Sequence, residues 1–165
     1  MKSVPTESDW RGSFWEQLRE WLVFGNWPSD LGLDGEFAYR QFFGKSHAEA
    51  LEMFRDDALS RQEDLVWMPF KCFEFYVEPY IEYLRSENAI GDSDGANGFF
   101  SMTLARMHEI RKLKTPLKAR IVDTLTYLGS RQEWFDAEPT DDGSFREIAD
   151  SLLHELARDQ DNPSR

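Results

Sequence analysis

Four serines are each followed three residues later by a glutamate, at Ser46–Glu49, Ser60–Glu63, Ser130–Glu133 and Ser144–Glu147. This is the spacing of a capping box, in which the serine hydroxyl and the glutamate carboxylate satisfy free amides at the start of a helix. Each pair opens a stretch with apolar residues at helical spacing. Alternating runs of β-branched residues, which indicate strands, do not occur. The sequence therefore predicts an all-α protein.

Helical periodicity and helix breakers predict an irregular bundle of about seven helices, in a single domain over residues 1–165. Helical segments, some of them short, are predicted over residues 9–24, 36–43, 47–57, 61–67, 69–85, 99–113, 117–128, 131–137 and 145–158. Pro69 is expected in the first turn of its segment, and Pro79 is expected to kink that segment or to cost it a hydrogen bond. Residues 1–7 and 159–165 are expected to fray.

Five apolar residues on these helical stripes are predicted to be core: Leu18, Phe54, Phe73, Leu104 and Leu152. A chain of 165 residues, 15% of them aromatic, can bury such a core without disulfides or metal. Cys72 is the single cysteine, which favours a reducing compartment. Because no apolar N-terminal region and no apolar run of about 18 residues is present, we expect a cytoplasmic protein without signal peptide or membrane span.

The formal net charge of −12 disfavours binding to nucleic acid and to anionic membranes, and it favours a basic partner. The charge is uneven along the chain. Residues 133–161 hold ten acidic and two basic residues, whereas residues 106–120 hold six basic residues and one acidic residue. Residues 106–114 of this stretch fall at the C-terminus of a predicted helix, where the helix dipole stabilises cations.

Metal and cofactor sites are not expected. A carboxylate-bundle metal site needs a glutamate three residues before each histidine, but Gly44, Ala105 and Ser151 precede His47, His108 and His154. Residues 92–97 resemble a calcium loop, yet Asn97 and Thr103 stand where an EF-hand has glycine and glutamate. We interpret the stretch as a loop in which Ser93 or Asp94 caps the next helix.

Catalytic residues are not predicted either. Cys72 lies in an aromatic run without a recognisable histidine partner, so it is interpreted as a structural residue. Glu74, Glu78 and Glu82 recur every four residues, which predicts one acidic helix face. Such a face is typical of a solvated surface, and the alternative is a docking surface for a basic partner.

Tryptophan beside carboxylates carries the functional prediction, because exposed aromatic residues are common hot spots of protein interfaces. The predicted partner-binding residues are Glu133, Trp134, Asp136, Glu138 and Trp27. The sequence thus predicts a non-enzymatic module that binds a basic protein through an acidic, aromatic-bearing surface. Size and charge alone make neutralisation of a toxin, as by an immunity protein, one form of this function. The alternative is a small helical enzyme or ligand-binding bundle with an aromatic-lined pocket at His108 or Cys72.

Overall fold

The computed structural model describes residues 3–11, 32–113, 115–139 and 143–158, and these residues form an all-α fold, as predicted. Within them lie eight α-helices and two 3-10 helices, close to the predicted number. The α-helices are α1 (Glu7–Arg11), α2 (Gly32–Phe42), α3 (His47–Trp67), α4 (Phe70–Leu84), α5 (Ser93–Ala105), α6 (Met107–Lys112), α7 (Thr115–Gly129) and α8 (Phe145–Ala157). The 3-10 helices are Glu87–Ala89 and Gln132–Phe135. No helix in these ranges combines the length and the apolar character that crossing a membrane requires.

The chain divides into two compact units, residues 1–80 and 81–165. The predicted single domain stays a prediction. The predicted first helix is described as far as Arg11, and residues 12–24, with Leu18, lie outside the described residues. Residues 159–165, which are predicted to fray, lie outside the described residues too.

Two of the four predicted capping boxes form. At the start of α3, the Ser46 hydroxyl oxygen accepts from the Glu49 amide at 3.3 Å, and the Glu49 carboxylate accepts from the Ser46 amide at 2.9 Å. Ser144 and Glu147 make the same reciprocal bonds at the start of α8. These are the two helix starts that the sequence located most closely.

The other two boxes are wrong, because other residues begin those helical turns. Ser60 lies inside α3, where Asp57 has a non-helical backbone (φ −160°, ψ 77°) and its carboxylate accepts from the Ser60 amide at 3.1 Å. Asp57 therefore caps the second half of α3. The Ser130 hydroxyl donates back to the Tyr127 carbonyl oxygen at 2.9 Å, and Arg131 precedes the second 3-10 helix without a side-chain cap.

The predicted helix 99–113 is two helices, and it begins earlier than expected. Asp92, not Ser93 or Asp94, caps α5, since its Oδ1 accepts from the Gly95 amide at 2.9 Å. Its Oδ2 accepts from the Tyr83 hydroxyl at 2.6 Å, so both oxygens are engaged. The helix breaks at Arg106 (φ −104°, ψ 15°), where α6 starts.

The prolines behave nearly as predicted. Pro69 lies one residue before α4, and its carbonyl oxygen accepts from the Phe73 amide at 2.9 Å. Pro79 sits inside α4, which continues to Leu84. Because proline has no amide hydrogen, α4 forgoes one backbone bond there.

The first unit is built around aromatic side chains. Phe42 of α2, Phe54 of α3 and Tyr76 of α4 are fully buried. The Phe42 ring centroid lies 5.9 Å from that of Phe54 and 4.9 Å from that of Tyr76. Tyr80 stacks on Phe54 at 4.6 Å. These contacts hold the walls of the first unit, α2, α3 and α4, together.

The second unit has its closest packing between α7 and α8. A Cβ atom on Gly129 would lie 2.8 Å from the Ala149 Cβ, so a larger residue at 129 would force the two helices apart. At the start of α8, the Phe145 ring lies 5.2 Å from Phe100 and 6.2 Å from Phe135. This cluster joins α5, α8 and the second 3-10 helix.

The predicted core is confirmed at three positions and wrong at one. Phe54 and Phe73 are fully buried, and Leu152 is buried. Leu104 is 63% exposed. The predicted stripe of Phe100, Leu104 and Met107 assumed one helix to residue 113. Because α5 ends at Ala105, it buries Phe100 together with Ala96, Phe99 and Thr103.

We expect Phe73→Ala to lower the free energy of unfolding by about 3–5 kcal/mol, because it removes a fully buried ring and leaves a cavity. Leu104→Ala is the control, and it should change that free energy by about 0.5 kcal/mol or less because the side chain is exposed. Urea unfolding of the two variants measures both. Equal losses in the two variants would contradict either the burial of Phe73 or the exposure of Leu104.

Candidate protein-binding surface

The predicted site residues around the second 3-10 helix lie on one exposed turn. Glu133, Asp136 and Glu138 are exposed, and Trp134 is half-buried. Asp136 adopts a left-handed backbone (φ 50°), and its amide donates to the Glu133 carbonyl oxygen at 3.2 Å, which closes the turn. The structure therefore brings these four residues together, whereas Trp27 lies outside the described residues.

Trp134 is already engaged within the chain. The Arg131 guanidinium carbon lies 5.5 Å from the centre of the Trp134 ring and 4.6 Å from that of Tyr127. The Trp134 carbonyl oxygen also accepts from the Gly91 amide at 3.0 Å. Because the Arg131 guanidinium already lies against the Trp134 ring, less of the ring face is left for a cationic partner. The role of this turn in partner binding stays a prediction.

A second acidic and aromatic surface lies in the first unit, and we call it the Trp67 cleft. It has a volume of about 300 Å³. Its walls are Asp34 and Phe37 from α2, and Arg61, Glu63, Asp64 and Trp67 from α3.

Helical spacing explains why these residues share one cleft. Ser60, Glu63, Asp64 and Trp67 stand at i, i+3, i+4 and i+7 of α3, which is one face of a helix. Asp34 and Phe37 stand at i and i+3 of α2, which packs against α3.

The aromatic side chains of the cleft are unusually open. Trp67 is 56% exposed and Phe37 is 53% exposed. Sequence reasoning missed both, because it interpreted Trp67 as the end of a short helix before Pro69. The signal was present: Glu63 and Asp64 stand four and three residues before Trp67, which places carboxylates beside an indole on one helix face.

Asp64 gives the cleft a buried carboxylate. Its exposed fraction is 4%, and its Oδ2 lies 2.9 Å from the Arg61 Nη1. Burial raises the pKa of Asp64 to about 6, although Arg61 opposes the shift; Glu63 and Asp57 add to it by charge repulsion. Asp34 and Glu63 make no ion pair within the described residues. Near neutral pH the cleft therefore holds three carboxylates and one guanidinium.

An apolar groove in the second unit is the other notable surface. It lies between α5 and α8, has a volume of about 460 Å³, and includes Phe100, Leu104, Ile148 and Leu152 in its walls. Among the described residues that line it, Glu147 is the one charged residue. The groove lacks the pairing of carboxylates with exposed tryptophan.

The residues considered for catalysis line none of these clefts. Cys72 is fully buried, and His108 Nε2 lies 2.6 Å from the Lys112 Nζ. On the predicted acidic face of α4, Glu74 and Glu78 are half-buried and Glu82 is exposed. In the part of the chain that the structure describes, no three histidine, cysteine or acidic residues are grouped so as to hold a metal ion.

Comparison with known proteins found no matching family model, curated protein or solved structure. Function must therefore be inferred from the geometry of the chain itself. On that basis the Trp67 cleft is the strongest candidate surface, because it joins open aromatic rings to a buried carboxylate.

Asp64 should make stability depend on pH. Its pKa of about 6 in the folded chain exceeds the ordinary 3.8, so the folded state binds more protons between these values. The stabilisation is complete below the ordinary pKa and is lost as pH rises through the folded pKa. As pH rises from 4 to 7, we expect the free energy of unfolding of Asp64→Asn to increase by about 1–2 kcal/mol relative to that of the parent, measured by urea unfolding.

Glu49→Gln is the control, because the pKa of Glu49 is shifted in the direction opposite to that of Asp64. The backbone and hydroxyl bonds from Ser46 lower the pKa of Glu49, so its stabilisation is present above its ordinary pKa and is lost as pH falls through the folded pKa. Parent and Asp64→Asn stability curves that stay parallel across this window would show that Asp64 titrates as it does in the unfolded chain.

Proposed function

We propose that this chain is a non-enzymatic protein-binding module that recognises a basic partner protein through an acidic, aromatic-bearing surface. The Trp67 cleft carries the proposal. Two aromatic side chains that are more than half exposed stand beside three carboxylates in one concave site. Aromatic anchors of this kind supply much of the energy of an interface, and the charges around them select the partner.

The net charge supports a basic partner. At −12, the chain attracts cationic proteins over distances of about 8 Å at physiological salt. Attraction of this kind mainly raises the rate of association. Contact at the aromatic side chains then decides how long the complex lasts.

The turn of Glu133, Trp134, Asp136 and Glu138 is a second candidate surface for the same function. Its three carboxylates are exposed and can steer a basic partner. Its tryptophan is half-buried against Arg131, which makes it a smaller anchor than Trp67. We therefore place the primary contact at the Trp67 cleft.

Neutralisation of a basic toxin, as by an immunity protein, is a specific form of this proposal. Small size and acidity are its support. The alternative function, an enzyme or ligand-binding bundle centred on His108 or Cys72, gains no support from the surroundings of those residues. Cys72 is packed inside the first unit, and His108 lies beside a lysine on α6.

Site-specific photo-crosslinking can test the proposed function. Phe37 is replaced by p-benzoylphenylalanine, which keeps an aromatic ring in the cleft, and the protein is irradiated in an extract of the cells that make it. We expect an adduct with a basic protein. The yield of the adduct should fall strongly when the irradiation is done at about 0.5 M salt, because the screening length is then a few ångströms.

The same photoreactive residue at Leu104 gives a control at an exposed apolar position, and at Trp134 it tests the other surface. Once the partner is isolated, Trp67→Ala should raise its Kd by roughly 30-fold, or about 2 kcal/mol, mainly through faster dissociation. Asp34→Lys with Glu63→Lys should mainly slow association. An adduct confined to Leu104, or one insensitive to salt, would defeat the proposal.

A further inference from the structure

The size of the Trp67 cleft limits what it can hold. A volume of about 300 Å³ lies at the lower end of the range for small-ligand pockets. One long side chain can occupy such a space, whereas a partner helix needs a longer groove. The cleft is therefore suited to a single anchoring residue of the partner.

The groups in the cleft favour a cation with a flat face. Trp67 and Phe37 offer exposed ring surface, and Asp34, Glu63 and Asp64 offer carboxylate oxygens. A guanidinium is planar, stacks on aromatic rings and presents five N–H donors to carboxylates. An ammonium is more strongly hydrated and gains less from the rings.

The chain already holds one of its own arginines with the same combination of groups. Arg11 of α1 places its guanidinium carbon 4.5 Å from the centre of the Tyr39 ring. Its nitrogens lie 2.8 Å from a Glu7 oxygen and 3.1 Å from a Glu36 oxygen. An aromatic face and two carboxylates thus take part in holding a guanidinium in this protein.

The second unit repeats the arrangement. The Arg85 guanidinium carbon lies 4.9 Å from the Tyr127 ring centre, and its Nη2 lies 2.6 Å from an Asp123 oxygen. The Trp67 cleft supplies more ring surface and one more carboxylate than the Arg11 site. Among its described lining residues, Arg61 is the one cation, and it pairs with Asp64.

We propose that the Trp67 cleft receives an arginine side chain of the basic partner, with the guanidinium against the Trp67 and Phe37 rings and its N–H groups on Asp34, Glu63 and Asp64. This inference rests on the proposed function and specifies its anchoring residue. Arg61 holds Asp64 from one side and keeps the carboxylate in place. The partner's arginine then offsets part of the net negative charge left by the three carboxylates and one guanidinium.

Titration with model peptides tests this ligand chemistry. The probes are capped 11-residue glycine–serine peptides that carry three arginines, three lysines or three citrullines, the last being neutral and similar in shape to arginine. The signal is the Trp67 indole N–H in ¹⁵N NMR spectra, assigned with Trp67→Phe. We expect saturable shifts with the arginine peptide, a Kd at least threefold higher with lysine, and no saturation with citrulline.

Matched variants locate the site. Glu63→Gln and Trp67→Leu should each weaken arginine-peptide binding at least fivefold, whereas Glu87→Gln and Leu104→Ala, at exposed positions outside both candidate surfaces, should leave it unchanged. Glu133→Gln and Trp134→Leu test the second candidate surface. Equal affinity for arginine and lysine, or weakening by the Glu133 and Trp134 variants instead, would overturn the arginine assignment.

The two proposals can fail separately. A partner crosslinked at Phe37 that binds equally well after each of its contacting arginines is changed to lysine supports the proposed function and overturns the arginine site. Arginine-selective peptide binding without any basic partner at Phe37 supports the arginine site and overturns the proposed function.

Discussion

The hydroxyl of Tyr76 must be satisfied inside the first unit, and the way it is satisfied fixes the helices around it. A buried phenol without a partner costs free energy comparable to a lost hydrogen bond. The single hydroxyl hydrogen of Tyr76 is shared between the carbonyl oxygens of Phe42 at 2.6 Å and Lys45 at 3.0 Å, which lie at and just after the end of α2. The Phe42 oxygen also accepts from the Lys45 amide at 3.0 Å. Burial raises the pKa of Tyr76, so it remains a donor at all physiological pH values.

Because the end of α2 is held against Tyr76, the exposed side of α2 that carries Phe37 is fixed in position too. Phe42 contacts both Tyr76 and Phe54, so α3 is held against the same cluster. Phe37 and Trp67, which line the cleft, lie on these two helices. The aromatic cluster inside the first unit therefore supports the aromatic surface outside it, and loss of the Tyr76 hydrogen bonds would loosen both.

Sequence patterns predicted what depends on neighbours along the chain. The capping boxes at Ser46 and Ser144 use residues three apart and were found from that spacing, although the same spacing at Ser60 and Ser130 forms no box. Leu104 and Trp67 show where such reasoning ended. Whether each side chain is buried depends on which other helix packs over it, and the spacing of apolar residues in the sequence does not predict that helix. Asp92 shows the same limit, since the Tyr83 hydroxyl of α4, which is nine residues earlier in the chain, also donates to its carboxylate.

The break at Asp57 has a consequence for how α3 can vary. In a straight helix, buried residues spaced four apart, such as Ala50, Phe54, Ala58 and Gln62, would wind around the axis by about 120°. The extended residue at Asp57 divides α3 into two shorter segments, each with its own start. The half that carries Phe54 packs in the aromatic cluster, and the half that carries Trp67 lines the cleft. Under the proposed function, exposed positions of the second half such as Glu63 and Trp67 can vary while the buried Phe54 and Leu65 stay constant, so that the specificity of the surface can drift without loss of the fold.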